Sequence, residues 1–141
     1  SGWRSMRDRA LGILQREDRL QQIVKLVGPD ALPDAERLVL LSAELLKSGF
    51  LQQNSFDKND MFAKPARQMA MLRVLLQFND TARELVGRGI PLARLAALPV
   101  LDELRRMKSV IANDDEAAIA ALGIRVLQAL GATDVPAGGG T

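Results

Sequence analysis

Amide and ring chemistry concentrates in one stretch, Phe50-Leu51-Gln52-Gln53-Asn54-Ser55-Phe56-Asp57. Primary amides beside an aromatic face can hold a flat heteroaromatic group such as a purine. The chain has four phenylalanines, one tryptophan and no tyrosine, so two rings this close together stand out. A second reading is open at this point, and the physics alone favours it. The stretch would also make a polar corner between two helices, with its phenylalanines plugging the core.

Other chemistry is excluded more firmly. There is no histidine and no cysteine, which removes an imidazole base, a thiolate nucleophile, a disulfide framework and the usual zinc ligands. Neither GxxxxGK[ST] nor GxGxxG occurs, so no phosphate-cradling loop is present. The acidic groups Glu17/Asp18, Asp102/Glu103 and Asp114/Asp115/Glu116 sit among basic residues in helical contexts. Solvation accounts for them better than paired acid–base catalysis does. We therefore assign no catalytic and no metal-binding residue. The formal net charge is +2, with bases and acids interleaved, which gives nucleic-acid binding no footing. No uninterrupted apolar run approaches the ~20 residues needed to cross a bilayer, and the N-terminus has no signal-peptide core.

The elements that must position these residues are helical. Ala, Leu, Arg, Gln and Glu dominate, β-branched residues are sparse and no hairpin turn appears. Leu11, Leu14, Leu20, Ile23, Val24 and Val27 recur mostly at spacings of three and four, predicting a helix over about 3–26 with these residues buried. Arg4, Arg7, Arg9, Arg16 and Arg19 fill its other face, which reads as solvated. Gly28 and Pro29 end it. Leu32 precedes Pro33 and is pushed out of the helical region. Pro33 then opens a second helix over about 33–53, with Asp34 and Glu36 favoured by the positive end of its dipole. A third helix is expected from 59 or 65 to 86, a short turn over 90–98, and helices over 100–112 and 115–130, the last capped by Asn113 and Asp114 and closed by Gly131. The expectation is an all-α bundle of about five to six helices, in one domain. No repeat at solenoid periods appears.

The runs Leu20-Gln21-Gln22-Ile23-Val24-Lys25-Leu26-Val27-Gly28-Pro29-Asp30-Ala31-Leu32, Glu36-Arg37-Leu38 and Phe50–Asp57 together resemble the C-terminal helical domain of the catalytic A subunit of V/A-type rotary ATPases (ATP synthases). The likeness extends through Lys64, Gln68, Met71, Leu72 and Phe78, and back to Trp3 and Arg7. Pro65 departs from the family's pattern. By this resemblance residues 1–112 are that domain, 113–131 an additional helix packed on it, and 132–141 a disordered tail.

The resemblance implies that the phosphate loop and catalytic glutamate lie in an upstream nucleotide-binding domain. This chain would then be a fragment that cannot hydrolyse ATP alone and holds no cofactor, ATP/ADP with Mg belonging to the parent subunit. The implied partners are that upstream domain, the B subunits of a hexameric ring and the central stalk, with no direct membrane contact. The implied location is the soluble ATPase head, cytoplasmic and peripheral to the membrane. Two sites carry over. Phe50, Gln53, Asn54 and Phe56 would form one wall of the adenine pocket, with Phe50 as packing support and Phe56 against the purine, a contact of ~1 kcal/mol. Asp30, Leu32, Pro33, Asp34 and Glu36 are similar in kind to the acidic DELSEED lever of the F-type catalytic subunit, which bears on the rotating stalk. Here Ala31 and Ala35 replace acids and Pro33 replaces a serine, which favours steric over electrostatic contact. The alternative reading is a stand-alone helical protein–protein interaction module without catalysis.

Overall fold

The computed structural model describes residues 2–51, 65–111 and 115–134. Six α-helices occur among them: α1 (Gly2–Val27), α2 (Asp34–Leu46), α3 (Pro65–Gly87), α4 (Leu92–Ala96), α5 (Val100–Val110) and α6 (Glu116–Thr133). A 3-10 turn, Pro29–Ala31, joins α1 to α2, and a π turn, Lys47–Leu51, continues α2. The described residues contain no strand, as an all-α bundle requires.

The bundle is built around α3. Helices α1 and α2 pack on α3 and on each other, α6 packs along α3, and α5 bridges α6 and the π turn. One main core results, joining Leu45 and Leu46 of α2, Met71, Leu72, Leu75 and Phe78 of α3, Leu101 and Leu104 of α5, and Ile119, Leu122, Val126 and Leu130 of α6. A smaller cluster of Leu20, Leu32 and Val39 lies where α1 meets α2.

The helix stops follow from local chemistry. Gly28 takes φ 86, the left-handed region that a Cβ disfavours, and its N–H bonds the Val24 carbonyl at 2.8 Å. Leu32 is extended, φ −85 and ψ 135, as the following proline demands. Helix α2 begins at Asp34 rather than Pro33. Pro33 is the N-cap, and its carbonyl accepts from Glu36 and Arg37, each at 3.0 Å.

Four expectations are corrected. On α1, Leu11, Ile23 and Val27 are exposed, while Ala10, Glu17 and Leu20 are buried. Helix α2 stops at Leu46 because the chain widens into the π turn. Helix α6 is capped by Asp115, whose Oδ1 accepts from Ala118 N at 2.9 Å, whereas Asn113 and Asp114 lie outside the described residues. Helix α6 also runs past Gly131 to Thr133. The Thr133 hydroxyl donates to the Leu130 carbonyl at 2.6 Å, its own carbonyl accepts from Arg94 Nη1 at 3.3 Å, and Asp134 pairs with Arg88 at 3.3 Å.

Helix α6 alone among the described residues is long and apolar enough to cross a membrane by composition. Its place in the core explains part of that composition, since Ile119, Leu122, Val126 and Leu130 are each at most 2% exposed, whereas Ile124 and Leu127 are exposed. On its outer side Arg125 pairs with Glu103 of α5.

Candidate functional site: the braced corner and the π turn

The α1–α2 corner presents acids on an anchored base. Asp30 and Pro33 are exposed, Asp34 and Glu36 half-buried. Leu32 is only 5% exposed, its side chain held between Leu20 and Val39. It therefore pins the corner from inside and is not part of its outer surface.

Asp34 does more than suit the first turn of its own helix. Its Oδ2 accepts from the Leu92 N–H at 2.9 Å. Leu92 opens α4, whose N-cap is Pro91 with no side-chain cap of its own. Helix starts leave N–H groups unpaired, and a side-chain acceptor there is worth about 0.5–2 kcal/mol. The acid at the corner thus supplies the missing cap from 58 residues away. It ties the corner to the α4 turn, which itself packs on α2 and α6.

The other end of α2 is fastened more heavily. The buried Glu17 carboxylate of α1 meets Lys47 Nζ at 2.6 Å. Glu44 receives a forked pair of bonds from Arg105 of α5, Nε at 2.9 Å and Nη2 at 2.9 Å, and Arg105 also reaches Asp102 at 2.7 Å. The hydrogen bonds to Glu44 hold the Arg105 guanidinium above its ordinary pKa, with Asp102 adding to the effect. Forked arginine–carboxylate pairs fix direction as well as distance. The partly exposed setting limits their stabilisation to the range of about 0.2–1 kcal/mol.

The π turn carries Gly49 and Phe50. An ideal Cβ on Gly49 would lie 2.4 Å from the Leu104 carbonyl oxygen, so α5 can approach this closely only because the position is glycine. Phe50 is half-buried and packs against the main core. Gln53, Asn54 and Phe56, the remaining residues of the expected adenine wall, lie outside the described residues. Among the described residues no group of three His, Cys, Asp or Glu side chains converges on a metal-sized site.

Sequence reasoning missed Arg67. It is 5% exposed, and its Nη2 donates to the carbonyls of Lys108 and Ile111, both at 3.0 Å. It closes the carbonyl end of α5, where a cation is favoured by the helix dipole. Its Nε has no hydrogen-bond partner among the described residues. The only advance signal is that a helix ending near Ile111 needs donors, and nothing in the sequence says they come from α3.

The family model described as the C-terminal domain of V and A type ATP synthase matches residues 1–95, which include α1, α2, α3 and the corner. The A subunit of the A-type ATP synthase of Pyrococcus horikoshii is 50% identical over 106 residues, 75% of this chain and 11% of that protein. Its namesake from Thermococcus onnurineus is 49% identical over 106 residues, 75% of this chain and 18% of its own length. That of Methanopyrus kandleri is 47% identical over 113 residues, 80% of this chain and 19% of its own. The chain thus spans less than a fifth of the length of these relatives. An all-α bundle with this corner and this level of identity belongs to the family of C-terminal domains of V and A type ATP synthases.

Proposed function

We propose that this chain is the lever arm of a catalytic A subunit, carrying displacement from an upstream nucleotide-binding domain to a central stalk. In that role it couples ATP hydrolysis or synthesis in a ring shared with B subunits to rotation and to ion movement through a membrane sector. The assembly's head is peripheral to the membrane, on the cytoplasmic side. ATP, ADP and Mg belong to the upstream domain. This chain would add one wall of the adenine pocket through Phe50, Gln53, Asn54 and Phe56.

The bracing of the corner is the observation that carries the reading. A lever transmits displacement only if its tip cannot yield separately from its body, and packed helices move as units. Here Leu32 locks the tip to both helices of the hairpin, Asp34 ties it to α4, and Glu17–Lys47 and Glu44–Arg105 hold the far end of α2 to α1 and α5.

Asp34→Ala combined with Leu32→Gly in the complete subunit, within the assembled enzyme, tests the lever. Ion transport per ATP hydrolysed should fall while hydrolysis by the detached head persists. Full coupling in that variant would remove the lever role. The pocket wall has its own test. Phe56→Ala in the complete subunit should weaken nucleotide binding by about fivefold, the equivalent of ~1 kcal/mol of lost ring contact, and an unchanged dissociation constant would exclude it.

A further inference from the structure

The arginine row on α1 reads in the sequence as a solvated face, yet the fold sets part of it into a groove. Arg9, Arg16 and Arg19 of α1 and Arg83 of α3 rim a cleft of about 440 Å³ between α1, α2 and α3. The half-buried Ile13 and buried Leu38 lie beneath them. Arg9 is paired with Asp80. Arg16, Arg19 and Arg83 are exposed and form no ion pair among the described residues. Three unneutralised guanidiniums facing one cleft concentrate positive potential there and favour an anionic occupant.

Two features select among anions. The three free guanidiniums stand on both walls, Arg16 and Arg19 on α1 and Arg83 on α3, so an occupant that reaches all of them spans the cleft's width. The apolar floor adds nothing to a bare polyanion and rewards an aliphatic side chain. A helix with carboxylates three and four residues apart, flanking a leucine on the same face, answers both features.

We propose that this groove docks an acidic amphipathic helix of a partner protein, with an aliphatic side chain on Ile13 and Leu38 and carboxylates on Arg16, Arg19 and Arg83. The proposal is independent of the lever and the adenine wall, because none of these groove residues belongs to either.

The test is fluorescence anisotropy of a labelled helical peptide, glutamates at i, i+3 and i+7 around a leucine, titrated with the 141-residue chain at low salt. Binding should weaken at least about tenfold in Arg16→Glu/Arg19→Glu and also in Arg83→Glu on the opposite wall, and by less than about twofold in Arg4→Glu/Arg7→Glu, which alters α1 by the same charge outside the groove. All the altered residues are exposed, and circular dichroism verifies that each variant stays folded. Equal loss in the Arg4/Arg7 variant would overturn the proposal as bulk charge attraction. So would equal binding by a scrambled peptide, by one with alanine for leucine, or displacement of the peptide by stoichiometric tripolyphosphate.

Discussion

Phe78→Ala is expected to lower the free energy of unfolding by about 3–5 kcal/mol, the range for emptying a fully buried aromatic site. Phe78 is 0% exposed on the helix that the other long helices pack against. The core it shares with Leu45, Leu72, Leu104 and Ile119 is built from four different helices, so collapse of one element cannot fill the space. Domains of this size commonly have only about 5–15 kcal/mol of stability, so the variant should be close to unfolding in mild urea. Urea denaturation followed by circular dichroism reads the loss directly. A change under about 1 kcal/mol would mean the site is not the closed centre described here.

Gly49→Ala is expected to cost about 3 kcal/mol, the upper end for forcing a methyl group into a packed interior. Ordinarily alanine is the better helix former, by about 1 kcal/mol over glycine. Here the added carbon would sit 2.4 Å from the Leu104 carbonyl oxygen and 3.4 Å from its carbon. A backbone carbonyl cannot swing aside as a side chain can, so α5 must move as a body and strain the Arg105–Glu44 fork. Gly12 gives the contrast. Its ideal Cβ meets nothing within 4 Å, so Gly12→Ala should stabilise the chain by about 0.5–1 kcal/mol. The same denaturation experiment gives both signs, and a Gly49→Ala chain as stable as the parent would contradict the close approach.

How much of this was legible in the sequence depends on the range of the forces involved. Helices were legible because leucine periodicity, the stop at Gly28 and Pro29 and the start at Pro33 are local. Leu32 came out extended because a proline acts on its immediate predecessor. The buried face of α1 was partly misread, since Leu11 and Ile23 look like core residues and Glu17 does not. Glu17 is inside because Lys47 arrives from another element, and no local pattern announces that. The same holds for Asp34, read as a favourable acid on α2 and found capping α4, and for Arg67, closing a helix more than forty residues away. Nothing local marks Gly49 as required, because its reason lies on α5. Family membership, by contrast, was readable from a few contiguous stretches, because identity survives in sequence even where its physical cause is a distant contact.

The π turn carries a final consequence. A wide turn of this kind is an α-helix that has absorbed one surplus residue. Excising any single residue between Lys47 and Leu51 would let the helix wind tight again and would re-aim the side chains of the turn about the axis. Gly49 would swing off α5 and Phe50 off the core. Elsewhere on a protein surface, length drifts by one residue with little penalty. In this stretch the residue tally itself acts as a structural parameter, so variants that gain or lose one residue here should be far less tolerated than substitutions that keep the number intact.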